Sequence, residues 1–293
     1  MKHILLTGGK GQLGQSIQSI ASRYPDFTFT VTDYEELDIT NPDAVTAWFD
    51  AQSTPIDACI NCAAYTAVDK AESEEELAFK LNFEAALYLA DACSQRNIQL
   101  VHISTDYVFD GKHYRPYKEE DETAGQGIYG SSKVRGEGAV LGSNPTAIIL
   151  RTSWLYSEFG VNFVKRMKEL MQERPSLNVV FDQVGTPTYA VDLAAVILDI
   201  LGQRFANPET SFGGVYHYSN EGVTSWYDFA VAIKEITGSS CEILPITSAE
   251  YPTPAERPPY SVLNKQKIKS TFGVSVPYWR DSLQQCLRQL QNA

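Results

Sequence analysis

Ile4-Leu5-Leu6-Thr7-Gly8-Gly9-Lys10-Gly11-Gln12-Leu13-Gly14 is the stretch on which the reading of the fold turns. An apolar tripeptide runs into glycines spaced Gly8-x-x-Gly11-x-x-Gly14, and Gln15 to Ser22 continues with helical character. Glycines there let the chain turn sharply, let a phosphate approach the amides and let the helix close on the sheet. The first turn of that helix offers unpaired N–H groups and the positive end of its dipole to a pyrophosphate. A strand before the glycines and a helix after them is the context that a dinucleotide site requires.

Phe27 to Thr32 reads as a second strand with Asp33 at its end. An acid about 20 residues beyond the glycines accepts hydrogen bonds from an adenosine ribose, and it mildly favours NAD over NADP by repelling a 2′-phosphate. Asp38-Ile39 follow in a loop that places Asp38 toward the adenine. Asn41-Pro42-Asp43 opens a helix through Phe49. Asp57 to Cys62 is a third strand, and Asn61 to Thr66 forms the loop at its carboxyl end, where such sheets bind ligands. Glu74 to Ser94 reads as one long helix with Leu77, Leu81, Ala85 and Leu89 on its apolar face and Asn82 as an exposed polar position. Gln99 to Thr105, the helix Ile128 to Leu141 and Thr146 to Arg151 complete five strands alternating with helices. That alternation predicts an α/β fold: a Rossmann doubly wound parallel sheet with helices on both faces.

Between the fourth strand and the next helix lies Asp106 to Gly127, a turn-rich loop whose length after a central strand points to function. Ser104-Thr105-Asp106 stands before it and Tyr129-Gly130-Ser131-Ser132-Lys133 after it. Tyr and Lys four positions apart share one face of a helix. An ammonium near a phenol favours the phenolate and lowers its pKa from about 10. Such a phenol exchanges a proton with a carbonyl or alcohol near neutral pH. The hydroxyl of Thr105 or Ser104 can hold the same oxygen. Tyr-x-x-x-Lys alone arises by chance on many helices; the glycine loop and the Ser-Thr ahead of it give it weight.

Beyond Arg151 the pattern changes. An aromatic loop, Thr152 to Tyr156, precedes a helix at Asn162 to Glu173 and a strand at Leu177 to Phe181. Ala190 to Gly202 is helical, Gly214 to Ser219 is a strand, and Thr224-Ser225-Trp226 opens a hydroxyl-capped helix. Prolines 252, 254, 258 and 259 forbid regular helix in the tail. The expected organisation is an NAD(P)-binding domain of residues 1–152 plus about 186–216, with a smaller, interleaved C-terminal substrate-binding domain of about 153–185 and 217–293.

The 293 residues, 43% hydrophobic, support a sizeable core. A net charge of −12 without a Lys/Arg block argues against nucleic acid as a partner. No apolar run has the length of a membrane span, and the opening residues are too short for a signal peptide, so the cytoplasm is the expected location. Five cysteines, an odd number, fit a reduced compartment. Cys59 and Cys62 sit in an apolar strand and read as buried side chains rather than a redox or metal pair, and the four histidines show no ligand spacing. His102 and His217 fall in strand-like runs and read either as satisfied core groups or as groups that support side chains of a site.

The glycine loop, Ser104-Thr105-Asp106-Tyr107-Val108-Phe109, Tyr129-x-x-x-Lys133 and Arg151-Thr152-Ser153-Trp154 together resemble the extended short-chain dehydrogenase/reductase superfamily. Asn61 to Glu72, Asp182 to Thr188 and Tyr251 to Pro258 narrow the resemblance to the dTDP-4-dehydrorhamnose reductase family, over nearly the whole chain. The resemblance implies reduction of the C4 ketone of a dTDP-linked 4-keto sugar by NADPH or NADH. It implies Thr105, Tyr129 and Lys133 as the catalytic set, with Tyr129 as proton donor and Lys133 on the nicotinamide ribose. Gly8, Gly11, Gln12, Leu13, Gly14, Asp33, Asp38, Ile39, Ala63, Ala64, Tyr65 and Thr66 match cofactor contacts, and Asp106 and Trp154 match substrate contacts. Arg257 is added for a dTDP phosphate, because a guanidinium fits phosphate oxygens well. Some members carry glutamates on the first helix and near the C-terminus that bind Mg²⁺ at a dimer interface. Gln15-Ser16 and Gln291-Asn292-Ala293 stand here instead, so no structural metal and a monomer or weak homodimer are expected. Two alternatives remain: another nucleotide-sugar reductase or epimerase on the same fold, which should lack the Tyr251–Pro258 stretch, and a regulatory subunit of the methionine adenosyltransferase type, which need not keep Tyr129 and Lys133.

Overall fold

The run Ile4-Leu5-Leu6 has no polar face, and both of its sides are covered: all three side chains are fully buried. They lie in β1 (Lys2–Thr7), followed by α1 (Gln12–Ile20), β2 (Phe27–Thr32), α2 (Pro42–Asp50) and β3 (Ala58–Asn61) in a computed structural model that describes residues 1–292. Next come α3 (Val68–Ala71), α4 (Glu75–Phe79), a π-helical turn (Lys80–Glu84), α5 (Ala85–Gln95), β4 (Gln99–Thr105), α6 (Gly127–Ser143) and β5 (Ile148–Thr152). The remainder comprises β6 (Leu155–Tyr156), α7 (Phe163–Glu173), β7 (Ser176–Val180), β8 (Val184–Gly185), β9 (Thr188–Tyr189), α8 (Ala190–Ala206) and β10 (Gly214–His217). Then follow β11 (Thr224–Ser225), α9 (Trp226–Thr237), β12 (Glu242–Ile246), α10 (Gln266–Phe272) and α11 (Trp279–Asn292).

Six strands form one sheet in the order β10-β5-β4-β3-β1-β2, and every pairing in it is parallel. Side-chain alternation splits β1 between two apolar layers. Ile4 and Leu6 join the layer with α1 and α8, and Leu5 joins the layer with α2, α5 and α6. The chain runs from β1 outward to β2, then returns to place β3 on the other side of β1. Strand order therefore reverses between β1 and β3, and ligands bind at the carboxyl ends of the strands at such a point.

The long helix expected over Glu74 to Ser94 is interrupted by the π-helical turn at Lys80–Glu84. Its buried stripe is Ala78, Asn82, Ala85 and Leu89, not the expected one through Leu77, which is exposed. After β5 the chain builds smaller pairings, β6 with β9, β7 with β12 and β8 with β11, before and after it returns to the sheet through α8 and β10.

Candidate active site

Gly8 has φ +68°, and a Cβ there would lie 2.6 Å from the Ala63 nitrogen. At Gly14 a Cβ would lie 2.3 Å from the Gly8 carbonyl oxygen. Backbone meets backbone at both points, so no other residue fits without displacing the loop. α1 begins beyond Gly11 with no side-chain cap and no acid in its first turn, which leaves its N–H groups to an anion. A cavity of about 370 Å³ opens beside it, lined by Gly8, Gly11, Asp33, Asp38, Ile39, Ala63 and Ala64. The shape and donor set fit a dinucleotide: amides for the pyrophosphate, carboxylates for ribose hydroxyls. Asp33 is pinned at the rim, accepting from the backbone N–H of Lys10 and of Tyr34, each at 2.9 Å. Lys10 lines the same cavity, and its ammonium is paired with Glu35 at 2.7 Å.

Four of the expected cofactor contacts change character. Leu13 is buried in the core, which leaves its main-chain amide as the contact it offers, and Gln12 Oε1 accepts from Ser157 Oγ and Asn162 Nδ2, which leaves Gln12 its N–H donors. Tyr65 turns its hydroxyl to Glu74 at 2.6 Å, and Thr66 is exposed, so of the Ala63–Thr66 segment Ala63 and Ala64 alone line the cavity.

β4 delivers Thr105 to the same end of the sheet, and α6 carries Tyr129 and Lys133 one turn apart. Lys133 is buried, and its Nζ donates to the Ile103 carbonyl at 2.7 Å. Burial lowers its pKa to about 8, with Glu137 acting in the opposite direction. The phenol of Tyr129 is likewise desolvated, which pushes it up to about 12; contact with the Thr105 hydroxyl pulls it back and the Asp106 charge pushes it further. The expected lowering by Lys133 is therefore overturned in this structure, because desolvation dominates and the ammonium is directed at Ile103. Asp106 is buried, and its Oδ1 accepts from Thr105 Oγ1 at 3.0 Å. Burial raises its pKa to about 6, against the approach of Ser261 and Thr105. Its Oδ2 accepts no hydrogen bond from the protein, which leaves that oxygen open to a donor.

Trp154 follows β5 with φ +46°, a strained value for a bulky residue. The segment is held by Ser153 Oγ donating to the Thr186 carbonyl at 2.7 Å and by the Thr188 N–H donating to the Trp154 carbonyl at 3.1 Å. The phosphate role expected of Arg257 meets a competitor. Its guanidinium is bidentate to Asp69 at 2.8 and 2.7 Å and also donates to the Ala255 carbonyl, which ties the proline-rich loop to α3. Among the described residues no three His, Cys, Asp or Glu side chains gather as a metal site, and no helix is long and apolar enough to cross a membrane.

The family model of the RmlD substrate binding domain matches residues 1–292. This chain belongs to that family. The dTDP-4-dehydrorhamnose reductase of Aggregatibacter actinomycetemcomitans is 42% identical over 289 residues, covering 97% of each chain. The crystal structure of a dTDP-4-dehydrorhamnose reductase from Clostridium acetobutylicum superposes with a TM-score of 0.92 at 42% identity, covering 99% of each chain. That of the Bacillus anthracis dTDP-4-dehydrorhamnose reductase, in complex with NADP, superposes at 0.91 with 36% identity over 99% of this chain and 100% of the other.

Two groups in this RmlD-family chain escape a reading of the sequence alone. Asn82, expected at the surface, is 1% exposed. Its Oδ1 accepts from the Tyr65 N–H at 2.9 Å, while its Nδ2 donates to the Tyr65 carbonyl at 3.1 Å and to Ser132 Oγ at 3.0 Å. Ser132 Oγ donates in turn to the Tyr129 carbonyl at 2.8 Å. One amide in a π-helical turn thus joins the cofactor loop to the helix that bears Tyr129. The signal was available: Ala78-x-x-x-Asn82-x-x-Ala85 is a buried helical spacing with a polar residue in it. The second group is the buried pair of Arg151 with Glu137, whose two hydrogen bonds measure 2.9 and 2.7 Å. Glu137 lies one turn beyond Lys133, so this pair fixes α6 to β5 next to the turn that bears Tyr129 and Lys133. His102 and His217 are buried but each keeps one ring nitrogen without a partner, so neither is fully satisfied.

Proposed function

We propose that this chain reduces the C4 ketone of dTDP-4-dehydro-L-rhamnose to dTDP-L-rhamnose, using NADPH or NADH, as the last step of dTDP-L-rhamnose biosynthesis. The observation that carries this reading is the meeting of Tyr129, Thr105 and the Asp106 carboxylate, bonded to Thr105 through one oxygen, at the carboxyl end of β4, in a chain alike end to end to reductases of that name.

When bound, the reduced nicotinamide supplies a hydride to the carbonyl carbon. The chain's own groups manage the oxygen. Tyr129 enters the reaction as a neutral phenol, since its pKa stands far above neutrality. That is the form a proton donor needs, and the alkoxide that develops on the substrate is more basic than a phenolate, so transfer runs downhill. Thr105 redirects its hydroxyl from Asp106 to the same oxygen. Lys133 holds the nicotinamide ribose and places positive charge near the phenolate left behind. Asp106 accepts from a sugar hydroxyl, and Trp154 flanks the sugar. The residues 1–152 with about 186–216 bind the cofactor, and the rest cover the substrate. The enzyme works in the cytoplasm as a monomer or weak homodimer without a structural metal.

The test is oxidation of NADPH or NADH with the 4-keto dTDP-sugar, set beside UDP- and GDP-linked ketosugars. Turnover confined to the dTDP compound is expected. Equal turnover of the UDP compound would transfer the chain to another nucleotide-sugar reduction.

A further inference from the structure

Trp154 and Trp226 lie face to face, with ring centroids 3.6 Å apart and planes within 9°. We infer that Trp226 is a positioning residue for the sugar nucleotide, holding the Trp154 indole in place from the second lobe. The inference rests on the reading above, that Trp154 meets the substrate.

Three observations support it. The first is location. Asp106 neighbours Ser261, and a Cβ at Gly185 would lie 2.7 Å from both Ser261 Oγ and Trp154 Cε2. Contacts therefore run without a break from the catalytic hydroxyls to the indole pair. The second is strain. A positive φ on a tryptophan is strained and persists where neighbours over-determine it, commonly at ligand clamps. The backbone clamps at Ser153 and Thr188 fix the Trp154 main chain, but they leave its side-chain rotamer free. Gly185 backs the indole edge, and the Trp226 stack restrains its face. The third is support. Trp226 opens α9 directly after a Ser225–Asp228 capping box, and it packs on Phe163 at 4.6 Å and on the fully buried Phe229. An aromatic ladder thus runs from the core to the site. A ring already held in its bound orientation loses less rotamer freedom when ligand arrives.

The pair carries its own spectroscopic signature. Trp154 with Trp226 is the stacked tryptophan pair among the described residues, so an exciton couplet in the far-ultraviolet circular dichroism reports on it directly. Trp226→Ala, Trp226→Leu and Trp226→Phe should each abolish the couplet. Calorimetric titration with dTDP-L-rhamnose and, separately, NADPH then decides the role. Ala and Leu should weaken dTDP-L-rhamnose about three- to tenfold, the range expected for one aromatic pair, while Phe stays within about twofold of the unaltered chain and NADPH affinity is unchanged throughout. Leu keeps the bulk and answers the question if Ala unfolds the lobe. No couplet in the unaltered chain, unchanged dTDP-L-rhamnose affinity in Trp226→Leu, or an equal loss for NADPH would each overturn the inference. An unaltered chain that binds NADPH but not dTDP-L-rhamnose would instead overturn the substrate reading, and this inference with it.

Discussion

At Lys133 and Asp106 burial decides the chemistry, and each has a measurable consequence. Lys133 is an ammonium below about pH 8 and neutral above it. The ribose-holding and charge-stabilising roles proposed for it both need the cation, so kcat/KM should fall as pH rises through about 8. Lys133→Arg, whose cation persists, should retain activity on the alkaline side relative to its own neutral rate; a limb that stays near pH 8 in that variant would assign it elsewhere. Asp106 has the opposite sign. Its folded pKa, about 6, lies above the ordinary carboxylate value, so the native state holds the extra proton between about pH 4 and 6 and stability falls as pH rises through that window. Asp106→Asn should therefore gain on the order of 2 kcal/mol at pH 7 and almost nothing at pH 4. It should bind substrate more weakly in exchange. Thermal unfolding at the two pH values checks the first half, and an unchanged Tm at pH 7 would contradict it. Residues proposed to act by their own chemistry, such as Thr105, Tyr129, Lys133 and Asp106, are legible as letters. Asn82 and Trp226 are not, because their roles exist only through Tyr65 and Trp154, which are distant in the chain.

Among the elements, α6 shows how closely geometry and catalysis are joined. A Cβ at Gly136 would lie 2.1 Å from the Asn82 carbonyl oxygen, so the helix packs backbone to backbone on the π-helical turn. Gly136→Ala should cost about 1 to 3 kcal/mol through overpacking and lower kcat by shifting Tyr129. Unfolding and steady-state assays together test this, and wild-type values in both would show that the turn gives way freely. The central strands are legible as apolar runs, since β1, β3 and β5 are covered on both faces, and the glycine spacing marks the start of α1. The π-helical turn is not, because the tertiary contact with α6 creates it. β12 hides behind Pro245, a residue that argues against a strand except at an edge. α11 hides behind its glutamines and two arginines, with a narrow buried apolar stripe at Trp279, Leu283, Cys286 and Leu287.

For the whole molecule, the C-terminal segment acts as a strap. It pairs Leu263 with Tyr117 of the long loop and Tyr260 with Val184, and it reaches α3 through Arg257 and Asp69. The long loop is thereby tied down, which its turn-rich sequence could not reveal. Asp69→Ala should release the strap and raise KM for the sugar nucleotide more than for NADPH; equal effects on both would mean that the ion pair serves packing alone. Size is a poor guide to the site. The larger cavity, about 850 Å³, lies by Tyr24, Phe27, Phe205 and Phe272, away from every catalytic group. Sedimentation should be the same with Mg²⁺ and with chelator, and a Mg²⁺-dependent dimer would overturn the proposed metal-free state.

Tyr129→Phe separates proton donation from everything else in the crevice. With the 4-keto dTDP-sugar and saturating NADPH, its turnover should fall about 10² to 10⁴-fold while its affinity for NADPH matches that of the unaltered chain. Turnover within a few-fold of the unaltered chain would mean that another group protonates the sugar oxygen.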